Sequence, residues 1–406
     1  MTSVKPSAHA SGYRWVVLFI ATLAQASACF FVQGIGAIAL FVQQDLQLSN
    51  LQIGLLMSAA QLLPILGLLV AGELLDRYQE RWVVGIGTLL VGFALCLSML
   101  ANSYWALLSC LLVVGAAYST AQPGGSKSVA SWFGPKQRGF AMGIRQAGLP
   151  LGGALAAAAL PAIALHWGWR WGFLAGGLIA LLGGLLFIAL YRAATPDKPA
   201  GAAPSLGINA LLRARLAMLG EPAMGKIMLS GISLVSVQYG ILIFTALYLY
   251  ERLGLSISAA TTLLVIAQGA GVVGRIVLAA WGDHSKAGRY FPVLTCLLAV
   301  IIGLSLLLLA PLQQFWALAL LLAWLGFFGF GWYGPWVAYV ADSAPADKTG
   351  FALGLAMAVN QVAIVLVPPA LGWLRDLSHS YVPGWLILIA LSLLALLLSG
   401  GKTTKP

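Results

Sequence analysis

The sequence is a succession of apolar stretches, each about 20 to 28 residues long, separated by short polar turns. A helix rises about 1.5 Å per residue, so each stretch can cross the hydrocarbon core of a bilayer. Membrane strands would need only about 10 residues and would alternate in polarity. Only 8% of the 406 residues are charged, against about 25% in a soluble protein. The sequence therefore predicts an all-helical membrane protein.

Twelve membrane spans are predicted, which places both ends of the chain on one side of the bilayer. The spans lie near residues 14–42, 51–71, 82–101, 104–133, 139–165, 168–191, 226–250, 256–281, 290–310, 315–341, 350–374 and 382–400.

The distribution of Lys and Arg predicts the orientation. Sixteen of these 22 residues fall on the side of the termini, and only Arg170, Arg252 and Arg375 fall on the other. Basic residues concentrate in cytoplasmic loops, so we expect cytoplasmic termini and a bacterial inner membrane. The net charge of +11 then reflects orientation and not a nucleic-acid partner.

The chain divides into two halves joined by one long connection. We predict six-helix bundles at residues 1–191 and 226–406, and a linker at 192–225 with a short amphipathic surface helix near 211–219.

The two halves share sequence. The hexapeptide beginning at Arg138, RGFAMG, recurs as TGFALG beginning at Thr349, and the charged turn at Asp76 recurs at Asp283. Such repeats predict two bundles related by a pseudo-two-fold axis, with a substrate site near mid-membrane.

These features resemble the major facilitator superfamily of secondary transporters. Its motif between the second and third spans is Gly-x-x-x-Asp-Arg-x-Gly-Arg-Arg/Lys, and Gly72, Asp76, Arg77 and Arg81 match it, whereas Gln79-Glu80 departs from it. The resemblance implies alternating access, with charges that gate one side of the membrane. The expected gating residues are Asp76, Arg77, Arg81, Lys127 and Asp283.

The position of Arg275 is similar to that in a few groups of transporters within this superfamily. It precedes Asp283 by eight residues, and monocarboxylate, oxalate:formate and nitrate/nitrite porters carry a similarly spaced substrate-binding arginine. Monocarboxylate porters also place a proton-accepting acid four residues earlier, where this chain has Gly271. The resemblance implies an organic anion substrate, driven by proton symport or by anion exchange.

A drug or metabolite exporter coupled to protons is the alternative. Drug/proton antiporters carry Gly-Pro-x-x-Gly-Gly in the fifth span, and the stretch from Gly148 to Gly153, GLPLGG, differs in the position of the proline. A membrane receptor or enzyme is a third hypothesis, but the chain carries no appended signalling domain.

Arg145 and Arg275 each lie roughly 10 Å inside a predicted span. Arginine donates hydrogen bonds in a planar fork that suits a carboxylate. In the resembled fold the two spans face each other, so both guanidiniums are expected to meet at one cavity. The alternative is that each donates to backbone carbonyls or extends to the membrane surface. Together with Lys127 they form three membrane cations for which no nearby acid is predicted, which favours an anionic ligand.

The other expected substrate-binding residues are amides and aromatics near the middle of spans, although such groups also serve as interhelical contacts. They are Gln33, Tyr118, Gln122, Gln238, Tyr239, Gln268, Trp332, Tyr333, Asn360 and Gln361.

No cofactor or metal is expected. All four histidines lie at or beyond span ends, and no Gly-rich loop followed by Lys-Ser/Thr is present. We expect no enzymatic activity, no nucleic-acid partner and no cleavable signal peptide. The expected protein is a lipid-embedded monomer that binds a small anion, with protons as a possible coupling ion.

Overall fold

The computed structural model describes residues 8–48, 50–194, 213, 222–309, 314–345 and 348–399. The chain forms two compact units. Unit 1 comprises residues 1–204 and 345–355, and unit 2 comprises residues 205–344 and 356–406. The predicted surface helix near 211–219 lies outside the described residues except at Arg213.

Every regular element of the described part is helical. The helices of the first half are α1 (Ala8–Gly34), α2 (Ala39–Asp45), α3 (Asn50–Leu62), α4 (Pro64–Arg77), α5 (Glu80–Ser98), α6 (Tyr104–Tyr118), α7 (Ala121–Trp132), α8 (Pro135–Trp167) and α9 (Trp169–Leu190), with a short 3₁₀ turn (Ile35–Ile38) between α1 and α2.

The helices of the second half begin at Pro222. They are α10 (Pro222–Glu251), α11 (Ile257–His284), α12 (Phe291–Leu309), α13 (Phe315–Gly329), α14 (Tyr333–Ser343), α15 (Thr349–Ser378) and α16 (Val382–Ser399).

Each predicted span corresponds to one helix or to consecutive helices, with ends that agree to within six residues. In the described part of the chain, eleven of these elements are long and apolar enough to cross a membrane. The second span is interrupted at Leu63, where Pro64 begins α4. Proline is favoured in the first turn of a helix because the N–H it lacks has no helical acceptor there.

The fourth and tenth spans are also interrupted, each just before a proline. Residues 119–120 separate α6 from α7, and residues 330–332 separate α13 from α14. Pro123 and Pro335 lack the N–H that would bond to the carbonyl four residues earlier, at Ser119 and Gly331. The missing N–H of each proline therefore accompanies the interruption of each span.

Small residues bring the helices of each unit close together. In unit 1, a Cβ on Gly92 of α5 would lie 2.7 Å from the carbonyl oxygen of Gly177 on α9. Phe31 and Phe173 pack beside this contact, with ring centroids 4.3 Å apart. In unit 2, the hydroxyl groups of Ser233 and Ser392 join α10 to α16 at 3.0 Å.

Candidate functional site

In unit 2, the site is built around Arg275 on α11, whose surface is 5% exposed. Its Nε donates a hydrogen bond to the carbonyl oxygen of Phe330, 3.0 Å away. Its guanidinium carbon lies 5.9 Å from the ring centroid of Tyr333. Phe330 and Tyr333 flank the break in the tenth span, so this break orients the arginine. The guanidinium of arginine is planar, and its fork of N–H donors matches the geometry of a carboxylate.

Glycines allow α11 to approach the break so closely. A Cβ on Gly274 would overlap the carbonyl oxygen of Phe327. A Cβ on Gly271 would lie 2.5 Å from the Cβ of Phe330 and 3.1 Å from the carbonyl oxygen of Gly326. The space at position 271 therefore excludes a carboxylate side chain, which gives a packing reason for the departure from the monocarboxylate-porter pattern.

Three aromatic residues form a cluster beside Arg275, which we call the aromatic cluster: Trp332, Tyr333 and Trp336. Their ring centroids lie 5.0 to 5.5 Å apart. Trp332 donates from Nε1 to the side-chain oxygen of Gln238 at 3.1 Å. Tyr239, also on α10, lies near enough to interact electrostatically with Arg275. The structure thus gathers four predicted residues of unit 2, Gln238, Tyr239, Trp332 and Tyr333, near one cation.

Asn360 on α15 lies near Gly231 of α10, which also contacts Trp336 of the aromatic cluster. Its side chain is 2% exposed, and neither its Oδ1 nor its Nδ2 has a hydrogen-bond partner. A Cβ on Gly231 would lie 2.5 Å from Asn360 Oδ1 and 2.9 Å from the indole ring of Trp336, so the amide is confined between α10 and the cluster. A buried amide without partners costs about 1–3 kcal/mol, which is unusual enough to indicate a function.

The two remaining candidates of unit 2 differ in exposure. Gln361 is 8% exposed, whereas Gln268 on α11 is exposed. The described contacts give Gln268 no link to the aromatic cluster.

In unit 1, Arg145 on α8 is completely buried. Its Nη2 donates to the carbonyl oxygens of Ala121 and Gln122 at 2.8 and 2.7 Å, and its Nη1 donates to the hydroxyl of Ser126 at 2.9 Å. Nη2 also lies 2.9 Å from the side-chain oxygen of Gln25. Both membrane arginines therefore donate to backbone carbonyls, which is the alternative that the sequence left open.

The other candidates of unit 1 surround Arg145 unevenly. Tyr118 lies 3.3 Å from Gln25, whose Nε2 donates to the tyrosine oxygen, and Gln122 contributes its backbone carbonyl. Gln33, two turns further along α1, is exposed. Sequence reasoning missed Ser126, whose only signal is its position one turn after the break of the fourth span.

The gating candidate Asp76 ends α4 and contacts the beginning of α15, whose first residues belong to unit 1. Its Oδ1 and Oδ2 accept hydrogen bonds from the backbone N–H groups of Gly350 and Phe351 at 2.9 and 2.7 Å. Gly72 makes room for this contact, because a Cβ there would lie 2.9 Å from the carbonyl oxygen of Gly350. Burial raises the pKa of Asp76 above its usual value, and Lys127 and the two N–H groups oppose that shift.

The prediction that Lys127 has no nearby acid is wrong. Its Nζ lies 3.2 Å from Asp76 Oδ1 and 3.5 Å from Glu80 Oε1, and it also donates to the carbonyl oxygen of Leu75. The turn between α4 and α5 brings both acids beside α7, and the long lysine side chain reaches them. Only two of the three membrane cations therefore remain as candidates for an anionic ligand.

The remaining gating candidates bind within their own units. Arg77 pairs with Glu73 one turn earlier at 2.6 Å, and Arg81 donates to the carbonyl oxygen of Ile188. In unit 2, the fully buried carboxylate of Asp283 binds Arg289 at 2.8 Å. Arg289 also binds Asp342 at 2.6 Å and so joins the end of α11 to the end of α14.

Among the described residues, no group of three His, Cys, Asp or Glu side chains is placed to hold a metal ion.

Comparisons with known proteins agree with this architecture. The sequence profile of the Major Facilitator Superfamily matches residues 15–368. An uncharacterized MFS-type transporter of Mycobacterium tuberculosis, Rv2994, is 28% identical over 307 residues, which are 75% of this chain and 66% of that relative. The match therefore spans slightly less than two thirds of that relative's length.

A second relative and a solved structure extend the comparison. The hexuronate transporter of Bacillus subtilis is 23% identical over 372 residues, which are 87% of this chain and 86% of that protein. The crystal structure of the MFS transporter FucP in the outward conformation superposes with a TM-score of 0.77 at 15% identity, over 97% of this chain and 100% of FucP. This likeness confirms the predicted all-helical transporter fold.

Proposed function

The chain belongs to the Major Facilitator Superfamily, and from this premise we propose that it is a secondary active transporter of a small organic anion, a carboxylate. The observation that carries the proposal is the placement of Arg275: a guanidinium in a membrane span, anchored by the carbonyl of Phe330 and lying beside the aromatic cluster. Keeping a cation in a span costs about 2.5–3.5 kcal/mol or more, a cost that an anionic substrate offsets.

In this proposal the anion's carboxylate binds the Nη groups of Arg275. Tyr333 and Tyr239 lie beside that guanidinium, and the aromatic cluster supplies a surface for the carbon skeleton. Asn360, with both amide atoms without a partner, binds a hydroxyl or a second polar group near Trp336. A hydroxylated carboxylate satisfies both ends. The Bacillus subtilis relative is a hexuronate transporter, and a hexuronate has this chemistry.

We propose anion exchange or proton symport as the driving reaction. The space at Gly271 excludes the acid that monocarboxylate porters use as a proton site. Transport can instead be driven by a proton that the substrate itself carries or by an anion that moves in the opposite direction. Proteoliposomes with a pH gradient but no internal anion distinguish the two modes, because symport proceeds there and exchange does not.

The substrate assignment is tested by thermal stabilisation of the purified protein with matched ligands. D-Glucuronate and D-glucose share a ring and differ in the carboxylate, so the proposal expects stabilisation by the first alone. Arg275→Gln should abolish it, whereas Arg252→Gln, which removes an exposed cation at the end of α10, should not. Stabilisation only by hydrophobic cations, unaffected by Arg275→Gln, would instead support the exporter.

A further inference from the structure

The breaks in the fourth and tenth spans have the same local structure. Each precedes a proline by three to five residues, and at each an arginine from a neighbouring helix donates to a backbone carbonyl. Arg145 donates to Ala121 and Gln122 at the start of α7, and Arg275 donates to Phe330 at the end of α13. A helix broken by proline has no continuous hydrogen-bond ladder to fix its angle.

Arg145 lies flat on the first turn of α7. Besides the two carbonyls, it donates to the hydroxyl of Ser126, so three of its hydrogen bonds end within the first two turns of α7. Gly125 provides the surface, because a Cβ there would lie 2.5 Å from Arg145 Nε and 2.8 Å from Nη2. Any larger residue would push the guanidinium off the helix.

The same guanidinium reaches the other side of the break through Gln25. Arg145 Nη2 donates to Gln25 Oε1 at 2.9 Å, and Gln25 Nε2 donates to the hydroxyl oxygen of Tyr118 at 3.3 Å. Tyr118 is the last residue of α6. One buried network therefore links the last residue before the break to the first turn after it.

Resting on the proposed transport function, we propose that Arg145 is a positioning residue that fixes the angle between α6 and α7. It does not bind the substrate. Its fully buried guanidinium donates three hydrogen bonds to the fourth span, whereas Arg275 donates to the tenth span through Nε and lies beside the aromatic cluster. Bending of the fourth span during transport then requires the bonds from Arg145 to α7 to rearrange.

Distance measurements between two spin labels test this assignment without any ligand. In a cysteine-free background, Trp105→Cys and Ser131→Cys place labels at two exposed positions, one near each end of the broken span. The two positions are separated by about 40 Å of helix, a range that electron–electron double resonance resolves. The parent should give one narrow distance distribution, and Arg145→Gln should broaden or shift it, with Arg145→Lys in between.

Gly125→Ala is the second variant, because it displaces the guanidinium while keeping its charge. Gly12→Ala is its matched control, since a Cβ at Gly12 meets nothing within 4 Å. We expect Gly125→Ala to change the distance distribution and Gly12→Ala to leave it as in the parent. If Arg145→Gln fails to fold, the Gly125→Ala comparison alone decides the outcome.

Kinetics of D-glucuronate transport supply the second readout. A positioning residue lowers turnover, here by about tenfold for Arg145→Lys, with a change in KM of no more than about threefold. A KM raised about tenfold or more, with an unchanged distance distribution, would overturn the proposal and make Arg145 a substrate ligand. If the parent transports no carboxylate, the proposed function fails, but the label distances still decide the role of Arg145.

Discussion

Asp76 Oδ2 accepts a hydrogen bond from the backbone N–H of Phe351 at 2.7 Å, and its Oδ1 accepts one from Gly350. The carboxylate thus binds two of the N–H groups that have no acceptor within the first turn of α15, where the positive end of the helix dipole favours a negative charge. Besides its contact with Lys127, Asp76 therefore joins the end of α4 to the beginning of α15 through these two hydrogen bonds.

Asp76→Asn tests this contact. An amide can accept from only one of the two N–H groups and turns its own NH₂ towards the other, so one charge-assisted bond is lost. We expect a loss of about 1.5–3 kcal/mol in stability, measured as a lower melting temperature in detergent. Glu73→Gln is the control, because Glu73 contacts Arg77 on its own helix. An equal loss in both variants would contradict the account.

The contribution of Asp76 to the stability of the folded protein should change with pH in a defined direction. Burial raises the pKa of Asp76 in the folded state, so the folded protein holds this proton more tightly than the unfolded chain does. The stability that Asp76 contributes is therefore greatest below its unfolded pKa of about 4 and declines as the pH rises through the raised folded pKa. The melting temperature of the wild type relative to Asp76→Asn should fall over that window. A relative melting temperature that rises with pH there would contradict the prediction.

Lys127→Met should leave Asp76 and Glu80 side by side without their shared cation. The three side chains are at most 20% exposed, so screening by water is incomplete, and we expect a loss of about 1–3 kcal/mol. Glu80→Gln should restore part of it in the double variant, as a double-mutant cycle of melting temperatures would show. Strict additivity of the two changes would rule out the pairing.

Gly271→Ala tests the close packing that brings Arg275 to the tenth span. The new methyl group would lie 2.5 Å from the Cβ of Phe330, and such overpacking costs about 1–3 kcal/mol. Gly269→Ala, two residues away on the same helix, is the matched control because its methyl group meets nothing within 4 Å. We expect the melting temperature to fall for the first variant only; an equal response of both would show that helix propensity and not packing decides.

Asn360→Leu should act in opposite directions on stability and on binding. Replacing a buried amide that has no partner by an apolar side chain of similar size removes a cost of about 1–3 kcal/mol, so the ligand-free protein should melt higher. Binding of D-glucuronate should weaken, whereas binding of hexanoate, which lacks hydroxyl groups, should not. A lower melting temperature together with unchanged D-glucuronate affinity would contradict the assignment.

The sequence predicted the spans well because each span is a long run of apolar residues. The hydrophobicity of each residue can be read without knowledge of the fold. It predicted that Arg275 and Arg145 are buried, but not their acceptors, since the carbonyls of Phe330 and Ala121 belong to the backbone and carry no residue signature. The sequence did not predict the acidic partners of Lys127. Asp76 and Glu80 lie at a turn between two helices, and only the fold shows that this turn lies beside α7. The predicted meeting of Arg145 and Arg275 stays a prediction.

The central claim, that Arg275 binds the carboxylate of the substrate, is tested most directly by calorimetric titration of D-glucuronate into wild type, Arg275→Lys and Arg252→Gln. Loss of a bidentate contact costs about 1.5–3 kcal/mol, so Arg275→Lys should weaken binding roughly ten- to a hundred-fold, with Arg252→Gln equal to wild type. Wild-type binding of D-glucuronate that is unchanged in Arg275→Lys would contradict the claim.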